Sequence, residues 1–425
     1  MYIPRHLAKR LHRLVSAFPV VVVTGARQVG KSTMVRQELP DWDMVVLDPS
    51  IDIEGAREDP ELFLANRPAP LIIDEIQYAP ELVAALKRRV DQDRRPGLYL
   101  LTGSQQWAVM KSISESLAGR AVFLDLEGFS LSELTREAEP SPWLHAWLEG
   151  PERIAGTRQR LDLPWPPWEV LWRGSLPEAC LLERDVVPDL LRAYRRSYIE
   201  RDVRQLADLS DWQLFGRFLG LCAALTAQEI NHSQLGRELG VSGPTARRWL
   251  AILRSTFQWY ELPAWSGNVV KRVSSRPKGY IGDTGLACVA QAISTPTSLG
   301  NHPLLGALFE TYVVGEIRRQ CALLSPPPRL FHWRSHGGAE VDLLLERDGV
   351  LYPVEVKAKS RPSRRDTRGL AAFRAAHPGA AIAPGLVVAP MERPLRLSEQ
   401  AWAVPWDLMV PPSSVRAPEW EAEKS

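Results

Sequence analysis

The feature that most constrains the fold is a glycine-rich segment between an apolar run and a helical pattern. Residues 25–32 have the spacing Gly-x-x-x-x-Gly-Lys-Ser, residues 20–23 are four valines, and residues 32–38 contain no helix breaker. A buried strand, a glycine-rich turn and a helix N-terminus in this order direct backbone N–H groups at phosphate groups. The segment therefore predicts a nucleoside triphosphate site formed by Gly25, Ala26, Arg27, Gln28, Val29, Gly30, Lys31, Ser32 and Thr33.

Two acidic residues after the next apolar run complete a candidate hydrolytic site. Residues 71–73 are Leu-Ile-Ile, and Asp74 and Glu75 follow them directly. We expect Ser32 and Asp74 to hold Mg²⁺ while Lys31 reaches the β- and γ-phosphates of ATP. Glu75 is the candidate catalytic base, because bound water is a poor nucleophile until a carboxylate accepts its proton. The pattern predicts an ATPase with ATP and Mg²⁺ as cofactors.

A third apolar run and a separate arginine supply two more candidate catalytic residues. Residues 98–101 lead into Thr102, whose hydroxyl at the strand end is suited to contact the γ-phosphate or to orient water. Arg120 is a candidate finger for the charge that develops on phosphate, from the same or a neighbouring subunit, or else a solvated surface arginine. An arginine that acts on a neighbour implies a homo-oligomer, with a hexamer as one option.

A helix–turn–helix pattern lies in the middle of the chain. Residues 233–239 and 244–253 are helical patterns separated by a Gly-Val-Ser turn, and residues 259–262 and 269–273 are candidate strands of a wing. In one interpretation the second helix faces DNA, and in the other the module only packs on the ATPase core. The candidate DNA contacts are Arg247 and Arg248.

The last third of the chain contains a second group of charged residues. Residues 340–345 and 351–357 predict a hairpin around an Arg-Asp-Gly turn, which places Asp342 beside Glu355 and Lys357. Two carboxylates and a lysine in this arrangement can hold Mg²⁺ against a phosphodiester, with Glu310 on the preceding helix as a further ligand. The alternative is a structural ion-pair cluster in a nuclease-like domain that does not cleave.

These patterns predict an α/β protein of four folded parts and a tail. The parts are a three-layer P-loop ATPase core at 1–137, a helical lid with a Trp/Pro-rich insertion at 138–222, a winged helix-turn-helix at 223–290, a restriction-endonuclease-like α/β domain at 291–410 and a flexible tail at 411–425. For the tryptophans crowded into 139–172, packing against helices is favoured over nucleic-acid stacking, because no basic residues interleave the Trp-Pro-Pro-Trp run.

Composition narrows the possible environments and partners. The formal net charge of the 425 residues is only +2, so a nucleic-acid-binding surface must be local. Four cysteines without metal-ligand spacing suit a reducing cytoplasm. No apolar run approaches twenty residues, so no membrane partner is expected.

Taken together, the motifs resemble the bacterial and archaeal AAA-type ATPases, STAND-like in character, that carry a C-terminal restriction-endonuclease-like domain of unknown function. The blocks that carry the resemblance span nearly the whole chain and lie at 24–33, 71–77, 101–104, 116–120, 198–203, 282–286, 340–342 and 355–357. The resemblance implies an ATPase core, a lid, a winged helix and a nuclease-like fold on one chain. Two features depart from the family pattern: Arg173 stands where a second glycine is expected, and the insertion at 139–172 has no counterpart.

The leading hypothesis is an ATP-hydrolysing machine that acts on DNA, in repair, branched-DNA processing or a mobile-element context. The alternative is an ATP-dependent regulatory switch whose C-terminal domain binds a protein partner without cleaving DNA. A third class, a nuclease licensed by ATP, requires Mg²⁺-dependent cutting that depends on Asp342 and Glu355.

Overall fold

The computed structural model of the chain describes residues 2–104, 115–136, 143–155, 159–203, 212–268 and 275–410, together with residues 113, 157 and 272. The tail predicted at 411–425 lies outside them. In the part of the chain that is described, no helix is both long and apolar enough to cross a membrane.

The N-terminal unit is a five-stranded parallel sheet in the order β2-β3-β4-β1-β5. Its strands are β1 (Val20–Thr24), β2 (Asp43–Val46), β3 (Leu71–Asp74), β4 (Tyr99–Gly103) and β5 (Ala121–Asp125). Its helices are α1 (Ala8–Val15), α2 (Lys31–Glu38), α3 (Pro60–Asn66), α4 (Leu82–Gln92) and α5 (Leu131–Leu134). Val21 and Val23 share a core with α1 and α2, whereas Val20 and Val22 pack with α3 and α4. Alternate side chains of β1 therefore face opposite helical layers, and the predicted three-layer core is confirmed.

Short helices follow the sheet and carry the tryptophan-rich region. They are α6 (Trp143–Glu149), α7 (Glu152–Ala155), α8 (Pro167–Arg173), α9 (Pro177–Leu181) and α10 (Val187–Ser197), after which Tyr198–Val203 form a π-helical turn. Trp143, Trp147 and Trp172 are buried. The indole N–H of Trp147 donates to the Pro384 carbonyl at 3.3 Å, and that of Trp172 to the Ile293 carbonyl at 2.9 Å. The preferred packing role is confirmed for these three side chains.

The next unit contains the predicted helix–turn–helix. Its helices are α11 (Trp212–Ala224), α12 (His232–Leu239), α13 (Gly243–Ser255), α14 (Thr284–Ala290) and α15 (Pro296–Gly300). A three-stranded antiparallel sheet in the order β6-β8-β7 joins them, with β6 (Gln228–Glu229), β7 (Trp259–Leu262) and β8 (Lys278–Ile281). The strand that pairs with β7 is β8, which the sequence pattern did not predict. Of the wing strand predicted at 269–273, the structure describes only Arg272.

The C-terminal unit places one long helix and one shorter helix on a mixed sheet. Its elements are α16 (Leu305–Cys321), β9 (Arg329–Arg334), β10 (Glu340–Arg347), β11 (Val350–Val356), α17 (Arg368–Ala376), β12 (Ala381–Ile382), β13 (Gly385–Ala389), β14 (Leu395–Ser398) and β15 (Ala401–Pro405). The sheet runs β14-β15-β13-β11-β10-β9, and β12 pairs with β11. The predicted hairpin is confirmed: β10 and β11 are antiparallel, and Asp348 (φ 51°) and Gly349 (φ 78°) turn the chain between them.

Three units meet at one buried carboxylate. Asp283, just before α14, accepts hydrogen bonds from the Ser175 backbone N–H at 2.7 Å and hydroxyl at 3.0 Å. The Ser175 carbonyl in turn accepts from the Phe129 N–H at 2.7 Å, just beyond β5. A Cβ on Gly174 (φ 79°) would lie 2.2 Å from the Asp283 carboxylate. The turn after Arg173 and the sequence block at 282–286 therefore form one joint with the ATPase sheet.

Candidate nucleotide site and C-terminal charged cluster

The glycine-rich loop joins β1 to α2 in the way that the motif requires. Gly25 (φ 152°) has no room for a side chain, because its Cβ would lie 2.1 Å from the Leu126 carbonyl oxygen. Gly30 (φ 91°) caps α2 in the left-handed region that favours glycine. Lys31 is buried, and its ammonium donates to the carbonyls of Gly25 and Ala26 at 2.9 Å each. The Lys31 side chain thus lies against the loop in this structure. We expect it to extend toward the phosphates when a nucleotide is bound.

The hydroxyl and acidic residues predicted from separate strands lie side by side. Ser32 Oγ is 3.0 Å from Asp74 Oδ1, and the Thr102 hydroxyl also donates to Asp74. The Thr102 oxygen accepts from the Glu75 backbone N–H at 3.1 Å. Thr102 is buried and connects the two acidic residues. The sequence analysis expected only that its hydroxyl would contact the γ-phosphate or orient water. A hydroxyl and a carboxylate are the oxygen donors that Mg²⁺ takes, so these residues fit the ion.

Glu75 is held in an unusual backbone conformation at the cleft. Its φ of 59° lies in the left-handed region, which is uncommon for a residue other than glycine. The Gln77 side-chain amide donates to the Glu75 carboxylate and lies 3.4 Å from Ser104 Oγ. Sequence reasoning assigned Gln77 no role, although it stands in the same motif block. Gln77 is placed to orient the candidate base.

The cleft around the loop is closed on one side by the middle helices. A cavity of about 270 Å³ is lined by Arg27, Gln28, Gly30, Lys31, Ser32, Thr33 and Glu75 together with Tyr194, Ser197 and Tyr198. The last three residues come from α10 and the turn after it, and the sequence analysis assigned none of them to the nucleotide site. The cleft is therefore lined by two different parts of the chain.

Arg5 is another residue of the site that the sequence analysis did not single out. Its buried guanidinium donates to the Val29 carbonyl at 2.7 Å, to the Glu127 carbonyl at 2.7 Å and to Glu133 at 3.1 Å. Burial alone would raise the pKa of Glu133, but the charge of Arg5 and its hydrogen bonds keep that pKa below its usual value. Arg5 therefore ties the nucleotide loop to the segment that follows β5.

Arg120 lies at the opposite edge of the sheet from Lys31. It immediately precedes β5, whereas Lys31 follows the carboxyl end of the neighbouring parallel strand β1. Its guanidinium bonds Asp91 at 2.6 Å. Arg120 therefore lies away from the nucleotide loop of its own chain and is paired with Asp91, as a surface arginine would be. A role of Arg120 as an arginine finger stays a prediction.

The C-terminal charged residues predicted from sequence do converge, and a further lysine joins them. Lys357 Nζ lies 2.5 Å from Glu355 Oε2 and 3.5 Å from Asp342 Oδ2. Lys278, from β8 of the preceding unit, lies 2.6 Å from Glu310 Oε1 and 3.1 Å from Asp342 Oδ1. Lys278 was not predicted, because it belongs to no motif and lies 32 residues before the nearest of its partners in the sequence.

The electrostatics of this cluster follow from burial and from the two ammonium groups. Burial, with the Asp342 charge second, raises the pKa of Glu355 to about 9 and that of Glu310 to about 7. Burial would also raise the pKa of Asp342, but Lys278 and Lys357 more than offset it, so this pKa is lowered. Burial opposes the charge of Lys278, yet Asp342 and Glu310 raise its pKa above the usual value. The cluster is therefore built around an ionised Asp342 that lies between the ammonium groups of Lys278 and Lys357.

The two arginines predicted to contact DNA lie on the exposed side of α13. Arg247 and Arg248 are exposed, while Ala246 before them and Trp249 and Leu250 after them are buried. Both side chains are accessible to a partner.

Comparison with known proteins identifies the family. A model of an AAA domain matches residues 17–135, and models of two domains of unknown function match residues 167–297 and 305–409. An uncharacterized protein of Mycobacterium tuberculosis is 31% identical over 412 residues, which are 97% of this chain and 85% of that protein, and an uncharacterized protein of Mycobacterium bovis matches equally. The chain belongs to this family of AAA-type P-loop ATPases with a C-terminal domain of unknown function.

Solved structures offer more distant similarities. The Walker-type ATPase of Pyrococcus abyssi is 16% identical, with a TM-score of 0.43 over 67% of this chain and 94% of that one. The RuvB Holliday junction branch migration motor of Thermotoga maritima is also 16% identical, with a TM-score of 0.29 over 61% of this chain and 90% of that one. Neither similarity assigns a ligand or a partner to this chain.

Proposed function

We propose that this protein is a Mg²⁺-dependent ATPase that acts on DNA. The observation that carries the proposal is the convergence of Lys31, Ser32, Asp74, Glu75 and Thr102 at the carboxyl edge of one parallel sheet. Ser32 and Asp74 would hold Mg²⁺, which supplies charge neutralisation for the phosphates of ATP. Lys31 would leave the loop carbonyls for the phosphates, and Glu75, oriented by Gln77, would take the proton of the attacking water.

A local concentration of positive charge supports DNA as the partner. Residues 357–368 contain six basic side chains and a single acidic one, although the whole chain carries only +2. Five of the six are exposed, and Lys359 alone is paired with Asp366, at 2.7 Å. The exposed members are Lys359, Arg361, Arg364, Arg365 and Arg368. Such a segment, with Arg247 and Arg248 elsewhere on the surface, suits a phosphodiester backbone better than a neutral protein surface.

The salt dependence of DNA affinity tests this partner directly. Replacing Arg364 and Arg365 by alanine should lower the affinity for duplex DNA. If each arginine contacts one phosphate, the slope of log affinity against log salt concentration should become less steep by roughly 1.8. The matched control replaces Arg94 and Arg95, an exposed arginine pair of the N-terminal unit, and should leave the slope unchanged. If both double variants keep the same slope of log affinity against log salt concentration, the segment 357–368 does not contact DNA.

Arg120 supports an oligomeric form of the ATPase. Because it lies at the edge of the sheet away from its own cleft, it can act on ATP only in a neighbouring copy, after leaving Asp91. Arg120→Ala should then lose turnover while keeping ATP affinity. Full turnover in this variant would contradict the shared site.

A regulatory switch is the second candidate, and the lysine pairing of the C-terminal cluster favours it. Each of the three carboxylates already contacts the ammonium group of Lys278 or Lys357, so the cluster has cationic partners without a metal ion. In that case ATP would hold one conformation, and the C-terminal unit would bind a protein partner. Turnover that no DNA changes would support this candidate.

A further inference from the structure

The acidic cluster of the C-terminal unit is completed by a cation from another unit. Glu310 lies on α16 and Asp342 on β10, whereas Lys278 lies on β8 of the three-stranded sheet. The Lys278 side chain is 6% exposed, and its ammonium lies between the two carboxylates, 2.6 Å and 3.1 Å away. A lysine buried to this degree is tolerated only when paired, so its position is fixed by these two contacts.

Four of the six carboxylate oxygens of the cluster are already engaged by protein groups. Asp342 Oδ1 contacts Lys278, and Oδ2 accepts from the Val356 N–H at 2.9 Å. Glu310 Oε1 accepts from the Tyr280 hydroxyl at 2.8 Å, and Glu355 Oε2 contacts Lys357. Among the residues that the structure describes, no three His, Cys, Asp or Glu side chains are grouped so that they could hold a metal ion. The carboxylates therefore point at ammonium groups and N–H or O–H donors instead of at a common point.

Strand β8 has a rigid place in its own sheet. Tyr280 stacks on Tyr260 of β7 with ring centres 5.2 Å apart and planes 10° apart. Gly279 lies so close to Trp259 that a Cβ would meet the indole at 2.0 Å. Lys278 and Tyr280 alternate with Gly279 along β8, so both face Glu310 together. A rotation of the Lys278 side chain alone would break both ion pairs in a buried site, which is costly.

We propose that Lys278 is a built-in cation that takes the position of a divalent metal between Glu310 and Asp342. In this conformation the C-terminal unit does not bind Mg²⁺ or Mn²⁺ at the cluster, and it does not cleave phosphodiesters by a metal-dependent route. As long as Lys278 is present, metal binding requires β8 to separate from α16 and β10, which is a movement between units. This inference does not depend on DNA being the partner of the ATPase.

Mn²⁺ binding to the full chain without nucleotide, followed by electron paramagnetic resonance, tests the inference. Wild type and Glu355→Gln should bind the same amount of Mn²⁺, because the cluster takes none. Lys278→Met removes the charge at similar length and should bind one additional Mn²⁺ per chain, which Lys278→Met combined with Asp342→Asn should lose. Lys359→Met, at an exposed lysine of the same unit, is the control and should match wild type.

Two results would overturn the inference. One is a Mn²⁺ ion bound by wild type and lost in Glu355→Gln, and the other is a folded Lys278→Met protein that gains no ion. If Lys278→Met does not fold, as circular dichroism would show, the comparison of wild type with Glu355→Gln still decides. A failure of DNA to stimulate ATP turnover would leave all of these results unchanged, so the two proposals fail separately.

Discussion

Arg5 shows how far the position of the nucleotide loop depends on a single side chain. It lies near the start of the chain, yet it bonds the loop carbonyl of Val29 and the buried carboxylate of Glu133. Glu133 also caps α5, where its carboxylate accepts from the Ser130 N–H at 2.9 Å. Removing the guanidinium would leave a buried carboxylate without its counter-charge.

We expect Arg5→Met to lower the free energy of unfolding by about 3 kcal/mol or more, since it breaks a buried ion pair by removing one partner. The variant should also bind ATP more weakly, because the loop loses its tie to the segment after β5. Urea unfolding and nucleotide titration measure the two effects. Arg13→Met, at an exposed arginine of the same region, should change stability by less than about 0.5 kcal/mol. Equal stability of the two variants would contradict this role.

His332 predicts how stability depends on pH. Its ring is buried and contacts the Arg276 carbonyl at 3.0 Å, and burial lowers its pKa from 6.5 to about 4. The neutral, buried His332 therefore contributes its full stabilisation above pH 6.5. As the pH falls from 6.5 toward 4, the free energy of unfolding should decrease by about 3 kcal/mol, because the unfolded state binds the proton first. His332→Gln should unfold with a shallower pH dependence than wild type in that window, in urea titrations at pH 4.5 to 7.5. His336→Gln, at an exposed histidine, should keep the wild-type slope.

At the scale of elements, the joint at Asp283 links the ATPase sheet, the middle helices and the helix–turn–helix unit. Arg173, which stands where the family pattern has a glycine, belongs to this joint. It is buried and donates to Glu169 at 3.1 Å and to the Ala179 carbonyl at 3.1 Å. A Cβ on Gly285 would lie 2.3 Å from the Arg173 carbonyl oxygen. The arginine thus holds the turn that presents Ser175 to Asp283.

Gly174→Ala should destabilise the protein by roughly 2–4 kcal/mol, because alanine is strained at φ 79° and its Cβ would overlap Asp283. The matched control is Gly306→Ala in α16, where a Cβ meets nothing within 4 Å. That change should be neutral or stabilise by up to about 1 kcal/mol. Thermal and urea unfolding of both variants measure the difference, and a tolerated Gly174→Ala would show that the joint is loose.

Local patterns predicted the elements better than the contacts between them. Four valines before a glycine-rich loop, and an Arg-Asp-Gly turn between apolar strands, predicted β1 and the β10–β11 hairpin, because strand burial and turn chemistry are local properties. Lys278 and Arg5 were missed, since their partners lie far along the chain and leave no periodic signal. The pairing of β7 with β8 was missed for the same reason.

At the scale of the whole molecule, α16 connects the C-terminal cluster with the ATPase unit. α16 carries Glu310 toward the cluster, and its Glu316 accepts from the Leu131 N–H of the ATPase unit at 3.1 Å. On the same helix Arg318 pairs with Glu127 at 2.7 Å, directly beyond β5. The segment after β5 and α16 are therefore joined by two buried or half-buried polar contacts.

The most direct test of the central claim is ATP turnover with and without duplex, single-stranded and four-way-junction DNA, with Glu75→Gln as the blank. The account predicts turnover in Mg²⁺ that at least one DNA form stimulates by roughly tenfold or more, equivalent to about 1.4 kcal/mol of barrier, and that Glu75→Gln abolishes. Turnover in the wild type that is the same with every DNA form would contradict action on DNA. Turnover retained in Glu75→Gln would contradict the assigned catalytic base.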